Sequence, residues 1–285
     1  MSKASSLRLW SGTVFGATFQ ERLDAALAGG FGSVSMFPID YQQARDSGLS
    51  DADMRALMEE RGVRVAVLDP YCQWVPRWEP PAGMSEADLT FMNFPEQAFL
   101  RAAVALGVES VSVIEVFGQT FPVEQLTERF ANFCDRASQE GLRVHLEFMP
   151  FSGVPDLATA WRIVRDAGRT NGGLVFDVWH YYRGNPDDAL LATLPGEKIY
   201  VVQVSDAPSK AEEDLLAESS HRRLLPGEGA VDLSKILRTL HEIGGLSSVG
   251  AEVFSDDLMA DGPLSAGRRA GERLRAVLAD LGLEP

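Results

Sequence analysis

The sequence predicts a single closed (β/α)₈ barrel of the TIM type, one domain over residues 1–285. Three observations predict it. Short Val-rich apolar segments alternate with amphipathic segments eight times from end to end, and repeated βα units of that number imply parallel strands closed into a barrel. No linker composition or charge run interrupts the series. The last four strand segments each end on an oxygen-bearing side chain (Glu147, Asp177, Gln203, Glu252), and barrel enzymes carry their chemistry at that end of the strands. A doubly wound open sheet is the competing arrangement. It gains no support from GGFGSV, which follows a helix rather than a strand and so lacks the setting of a phosphate-binding loop.

The elements follow in order. LRLWSGTVF (residues 7–15) reads as the first strand, and FQERLDAALAGG as a helix closed by Gly29 and Gly30. SVSMFP (33–38) is the second strand; the helix after it has Ser50 as N-cap and Gly62 as its stop. RVAVLDPY (64–71) is the third strand, and the helix PEQAFLRAAVALG leads to the fourth, ESVSVIEVF (109–117). VEQLTERFANFCDRASQEG precedes RVHLEF, which carries Glu147, and DLATAWRIVRDAG precedes GLVFDVWH, which carries Asp177. PDDALLATL leads to IYVVQVSD with Gln203, DLSKILRTLHEIGG to SVGAEVF with Glu252, and a final helix closes the chain. Residues 72–95 and 207–231 are longer than ordinary connections. Both follow strands, so both are expected over the C-terminal face, where long loops serve function.

Composition narrows the partners. With 45% apolar residues the chain can bury a large core, and its formal net charge of −15 repels nucleic acid and anionic membranes. No run reaches the length of a membrane span, and MSKASSLRLW lacks the apolar centre of a signal peptide. Two cysteines, Cys72 and Cys134, make no disulfide framework, so a cytoplasmic, reducing location is expected.

Side chains alternate along a strand. His145 therefore shares a face with Glu147, Val175 with Asp177, Val201 with Gln203 and Gly250 with Glu252. A carboxylate ending a buried strand must be paired, hydrogen-bonded or bound. Taken singly, each residue has an ordinary explanation: it caps the next helix or pairs with an arginine. Taken together, three carboxylates and an amide form a hard oxygen set in which a cation relieves mutual repulsion. Mn²⁺ or Mg²⁺ suits such a set first, and Co²⁺ or Zn²⁺ is compatible. With a divalent ion the site carries a formal charge of about −1, which suits neutral hydroxyl or carbonyl oxygens of a substrate.

Five segments (HLEFMPF, DVWH, QVSD, the PGEG turn, and AEVFSD) together resemble the xylose isomerase-like barrel family, the sugar phosphate isomerase/epimerase group, over most of the chain. The resemblance implies that Glu147, Asp177, Gln203 and Glu252 hold one divalent metal ion, and that His180 contacts substrate or transfers a proton. Many sugar epimerases of the family have His in place of Gln203; Gln there is similar to the 3-dehydroshikimate dehydratases. Many members also have Glu where this chain has Ser35.

The remaining candidates come from the residues themselves. His145, below Glu147, is expected to support the site from the barrel interior. Glu115 shares parity with Val111 and Val113 and is expected to face inward, as a base or a substrate partner, with an ion pair as the alternative. His221 and Arg223 lie in the second long loop, where they either neutralise a developing oxyanion or form a solvated charge cluster. His241 reads as helix surface, Asp206 as a loop anchor, and the PGEG turn as loop architecture. Tyr71, Trp74, Trp78, Phe91, Phe94, Trp179, Tyr181 and Tyr182 suggest a partly apolar pocket, with Trp179 beside substrate.

The expected activity is isomerase or epimerase. Glu147, Glu252 or His180 takes the proton α to the carbonyl of a keto sugar or cyclic hydroxy-ketone, and reprotonation gives the product. A dehydratase (lyase) reading uses the same first step and then expels a β-oxygen. A metal-dependent hydrolase and a non-catalytic ligand-binding barrel are the further alternatives. The partner is a small hydroxy-carbonyl molecule, and a homo-oligomer is compatible with the sequence.

Overall fold

The computed structural model describes residues 7–283; residues 1–6, part of the stretch read as lacking a signal peptide, lie outside them. Eight parallel strands close into a barrel in sequence order. They are β1 (Arg8–Leu9), β2 (Ser33–Met36), β3 (Arg64–Tyr71), β4 (Ser110–Val113), β5 (Arg143–Glu147), β6 (Gly172–Asp177), β7 (Ile199–Val204) and β8 (Val249–Ala251). Pairing of Arg8 with Gly250 joins β1 to β8 and completes the (β/α)₈ barrel that the alternation predicts.

Local chemistry sets the helix ends. Thr18 and Glu21 form a capping box at the start of Phe19–Gly29, and Ser50 and Asp53 form one at Asp51–Arg61. Each box satisfies backbone amides that a helix start leaves free. Gly62 ends the second of these helices at φ 64°, a left-handed conformation that costs glycine little. The last helix, Pro263–Asp280, packs on Phe19–Gly29 through Gly271, where a Cβ would lie 2.0 Å from the Gly29 carbonyl oxygen. These two helices thus cover the same side of the barrel.

The first strand is much shorter than residues 7–15. After Leu9 the chain turns into a 3₁₀ segment, Ser11–Val14. Hydroxyl groups replace the strand ladder there. Ser35 Oγ accepts from Ser11 N at 2.8 Å, Thr13 Oγ1 donates to the Ala251 carbonyl at 3.0 Å, and it accepts from Val253 N. Ser and Thr side chains that bond nearby backbone divert it from regular structure. The two long connections carry short helices, Glu86–Met92 after β3 and Leu215–His221 after β7.

The barrel interior is layered. Trp10, Val67, Val175 and Val201 form an apolar plug, fully or almost fully buried. One inward position further along β3, β6 and β7 stand Asp69, Asp177 and Gln203, so the polar layer sits above the plug at the C-terminal mouth. Outward positions of the same strands, among them Val144, Leu146, Leu174 and Val202, pack against the helices in one continuous core. Burying each such side chain contributes about 1.5–3 kcal/mol, and this fixes the inward polar set.

Candidate metal centre

Glu147 ends β5, Asp177 ends β6, Gln203 lies on β7 directly opposite Asp177, and Glu252 follows β8. All four are buried. The registers are staggered: Glu147 pairs with Val175, and Gln203 with Gly250. Even so, oxygen atoms of Glu147 and Asp177 and a ring nitrogen of His180 lie within 4.8 Å of one another. The ordinary explanation for Asp177 is also partly realised. Its Oδ1 accepts from His180 N at 2.8 Å and caps the helix Val178–Arg183, while Oδ2 points to the centre.

Arg223 supplies the positive charge among these groups. Its Nη1 lies 2.7 Å from Asp177 Oδ2 and 3.5 Å from Glu252 Oε2. Its Nη2 donates to Ser219 Oγ at 2.9 Å and to His180 Nε2 at 3.3 Å, and Nε donates to the Ser219 carbonyl. The expected lid arginine is therefore a buried counter-ion held by the Leu215–His221 helix. Arginine only donates, so His180 Nε2 accepts and the proton sits on Nδ1, which has no partner. Burial pulls His180 down to about 3, with Asp177 opposing, so the ring is neutral near pH 7. Nε2 also lies 3.5 Å from Glu147 Oε1.

The carboxyl groups divide. Burial opposes ionisation of Asp177, but Arg223, His180 and the amide of His180 outweigh it and hold Asp177 below the usual range. Burial pushes Glu147 and Glu252 well above theirs; neighbouring carboxylates add to the rise and Arg223 opposes it. Asp69 is a fourth buried carboxyl that the sequence reading missed. Burial lifts it to about 6 against a hydrogen bond from Ser112. Its signal was legible: Asp69 shares parity with inward Val67 near the end of β3.

A divalent ion fits these residues. Three buried carboxyl groups, Glu147, Asp177 and Glu252, face one guanidinium, and among the described residues both side-chain polar atoms of buried Gln203 lack a hydrogen-bond partner. An orphaned buried amide is costly, and a cation at its oxygen removes part of that cost. Glu147, Asp177, Gln203 Oε1 and Glu252 are the donors that would hold it.

The other expected residues fall in different places. Glu115 does not continue an inward face of β4. Val111 and Val113 pack outward against helices, whereas Ser110 and Ser112 point inward to His145 and Asp69. The Glu115 carboxylate lies beyond the strand and accepts from Phe117 N and Gly153 N, tying two loops together. His221 is half exposed beside Asp256 at the outer rim, 3.2 Å from it. Trp179 is fully buried under Arg223, 5.2 Å from ring to guanidinium carbon. His145 bonds Ser110 at 2.8 Å below the plug. Asp206 accepts from Ala207 N, Gly227 N and Val231 N and anchors the seventh loop.

Of the expected aromatics, Tyr71 and Trp74 belong to the outer core, and Trp78 pairs with Phe117 at 4.7 Å. The mouth wall is built instead by Phe91 with Phe15, Phe37 and Phe254, none of which the sequence reading singled out except Phe91. Phe254 lies 5.5 Å from the Arg223 guanidinium. Gly12 makes room for its ring, since a Cβ there would come within 2.2 Å of it.

Residues 23–278 match the family described as xylose isomerase-like TIM barrel. The 3-dehydroshikimate dehydratase of Pseudomonas aeruginosa is 30% identical over 246 residues, 85% of this chain and 37% of that protein. The inosose isomerase of Bacillus velezensis is 35% identical over 133 residues, 46% of this chain and 45% of that protein. The chain thus spans less than half the length of the dehydratase, and the match to the isomerase covers less than half of either chain. A solved IolI protein with a bound zinc atom superposes with a TM-score of 0.84 at 20% identity, covering 96% of this chain and 98% of the other. A D-allulose 3-epimerase from Methylomonas sp. superposes at 0.70 with 14% identity, covering 97% of each chain. These two structural likenesses show the fold.

Proposed function

We propose, from the premise that the chain belongs to the xylose isomerase-like TIM barrel family, that it is a divalent-metal-dependent isomerase or epimerase. Its substrate would be a keto sugar or cyclic hydroxy-ketone. The observation that carries this reading is the convergence of buried oxygen donors from adjacent strand ends, Glu147, Asp177, Gln203 and Glu252, with His180 beside them. When bound by Glu147, Asp177, Gln203 and Glu252, a divalent ion supplies Lewis-acid polarisation of a carbonyl and orients two substrate oxygens.

The residues then divide the work. One glutamate removes the proton α to the carbonyl, leaving an enediolate on the substrate. Returning that proton to the neighbouring carbon shifts the carbonyl; returning a proton to the opposite face of the same carbon inverts it. Neutral His180 offers its unpartnered Nδ1–H to a substrate hydroxyl. Arg223 balances Asp177 and Glu252 and stands beside developing negative charge on substrate oxygen. Phe15, Phe37, Phe91 and Phe254 provide an apolar wall for a ring. His180 and Arg223 would face substrate, with Trp179 beneath Arg223 and Glu115 and His221 outside the group.

A second reading, a dehydratase, is favoured by Gln203 and by the relative that is 30% identical over 85% of the chain. It shares proton removal and then expels a β-oxygen. Two buried free thiols accord with a reducing cytoplasm, and among the described residues no helix is long and apolar enough to cross a membrane. The test is proton exchange, followed by NMR in D₂O, into an inosose and a set of chelating hydroxy-ketones with manganese present. Exchange that is lost in Glu147→Gln and Glu252→Gln supports enolisation, and loss of water from the product selects the dehydratase. Absence of exchange with every ketone would overturn both readings in favour of hydrolysis or binding alone.

A further inference from the structure

The opposite end of the barrel holds a second polar layer that the mouth chemistry does not use. Below the plug of Trp10, Val67, Val175 and Val201, the inward side chains include Arg8, Ser33, Ser110 and His145. Arg8 is 4% exposed. Its Nε donates to Ser33 Oγ at 3.3 Å, its guanidinium carbon lies 5.7 Å from the Trp10 ring, and its Nη1 has no hydrogen-bond partner. Among the described residues Arg8 forms no ion pair. The carboxylates of the mouth lie beyond the apolar plug.

The surroundings of Arg8 are cationic. Arg64 and Arg143 begin β3 and β5, half exposed at the N-terminal rim. Glu109 is the acid between them, bonded to Arg64 and 3.8 Å from Arg143. Burial lowers Arg8 to about 10, with Arg64 and Arg143 adding to the fall and Glu109 opposing it. Arg8 therefore keeps its charge near neutral pH.

Among the described residues, the unpartnered buried side-chain polar atoms of this region are Arg8 Nη1, Trp10 Nε1 and His145 Nδ1. The first two can only donate, and the hydroxyls of Ser33 and Ser110 are already engaged. A buried charge without a partner is expensive, and a buried donor seeks an acceptor. We propose that the N-terminal floor of the barrel binds a small inorganic anion, a halide or a compact oxyanion, against Arg8 Nη1, entering past Arg64 and Arg143. Glu109 at the rim sets a limit on its charge. The site is independent of the chemistry at the mouth.

Crystals of the intact protein soaked in sodium bromide should show an anomalous peak beside Arg8, and crystals soaked in inorganic phosphate should show tetrahedral density there if the floor prefers an oxyanion. In solution, the preferred ion at about five times its dissociation constant should raise the melting midpoint by about 2–4 °C over gluconate at equal ionic strength. Arg8→Met should abolish that rise. Should Arg8→Met fail to fold, Ser33→Ala, which removes only the Nε anchor, should reduce it. Water alone beside Arg8 in both soaks, with equal melting in bromide, phosphate and gluconate, would sink the proposal.

Discussion

Replacing Arg223 by Met tests whether one guanidinium carries the charge balance of the mouth. The side chain is 2% exposed, contacts Asp177 Oδ2 at 2.7 Å and Glu252 Oε2 at 3.5 Å, and stands near the buried carboxyl of Glu147. Methionine keeps much of the volume and the contact with Trp179 but removes the charge. Breaking a buried pair from one side costs about 3–5 kcal/mol, because the partner charge is left uncompensated. In a chain of this size that lowers the melting midpoint by about 6–20 °C. The assay is thermal unfolding near pH 7.5, once with EDTA and once with saturating manganese. With EDTA the full loss is expected. With manganese the loss should shrink, since an ion held by Asp177 and Glu252 neutralises the same oxygens. Lowering the pH should also shrink it, because Asp177 without Arg223 can accept a proton instead. An equal loss with and without manganese would show that guanidinium and ion do not share these carboxylates, and the proposed ligand set would fall.

Metal-free stability should decline as pH rises. Asp69 is raised from 3.8 to about 6, so its contribution is present below 3.8 and lost as pH climbs through about 6, some 3 kcal/mol in all. Glu147 and Glu252, raised from 4.5, add to the decline above that pH. Denaturant titrations with EDTA should show this slope and manganese should flatten it; a metal-free protein equally stable from about pH 4 to 8 would contradict the assignment. Glu147→Gln and Asp177→Asn should each weaken metal retention about tenfold or more, measured by elemental analysis after dialysis, and unchanged content in both would remove them as ligands. His180→Ala should lower kcat by about 10²–10⁴-fold while metal content holds. Because His180 is pulled to about 3, the wild-type profile should lack a histidine inflection near 6.5, and one that disappears in the alanine variant would contradict a neutral ring.

Parity along a strand separates two faces but does not say which one a closed barrel turns inward. On β6 and β7 the choice was legible because Val175 with Asp177 and Val201 with Gln203 offered a polar end that must meet partners. On β4 it was not. Ser110 and Ser112 face a polar interior of His145 and Asp69, while Val111 and Val113 join the helices, so Glu115 was carried to the wrong side by following the valines. Residues 7–15 read as strand by composition, but Thr13 and Ser35 bond backbone with their hydroxyls and end β1 at Leu9.

The sequence by itself determined the alternation of strands and helices, the capped helix start at Ser50, and the four oxygen donors at successive strand ends. These are local properties, written in spacing of two or 3.6 residues and in single capping side chains. Tertiary structure alone decided that Arg223, 46 residues from Asp177 in sequence, would lie between Asp177 and Glu252. It also decided that Phe15, Phe37, Phe91 and Phe254 would meet at the mouth, and that Arg8 would be sealed beneath the plug. Such neighbours are set by barrel closure and loop paths, which bring distant residues together with no periodic trace in the chain.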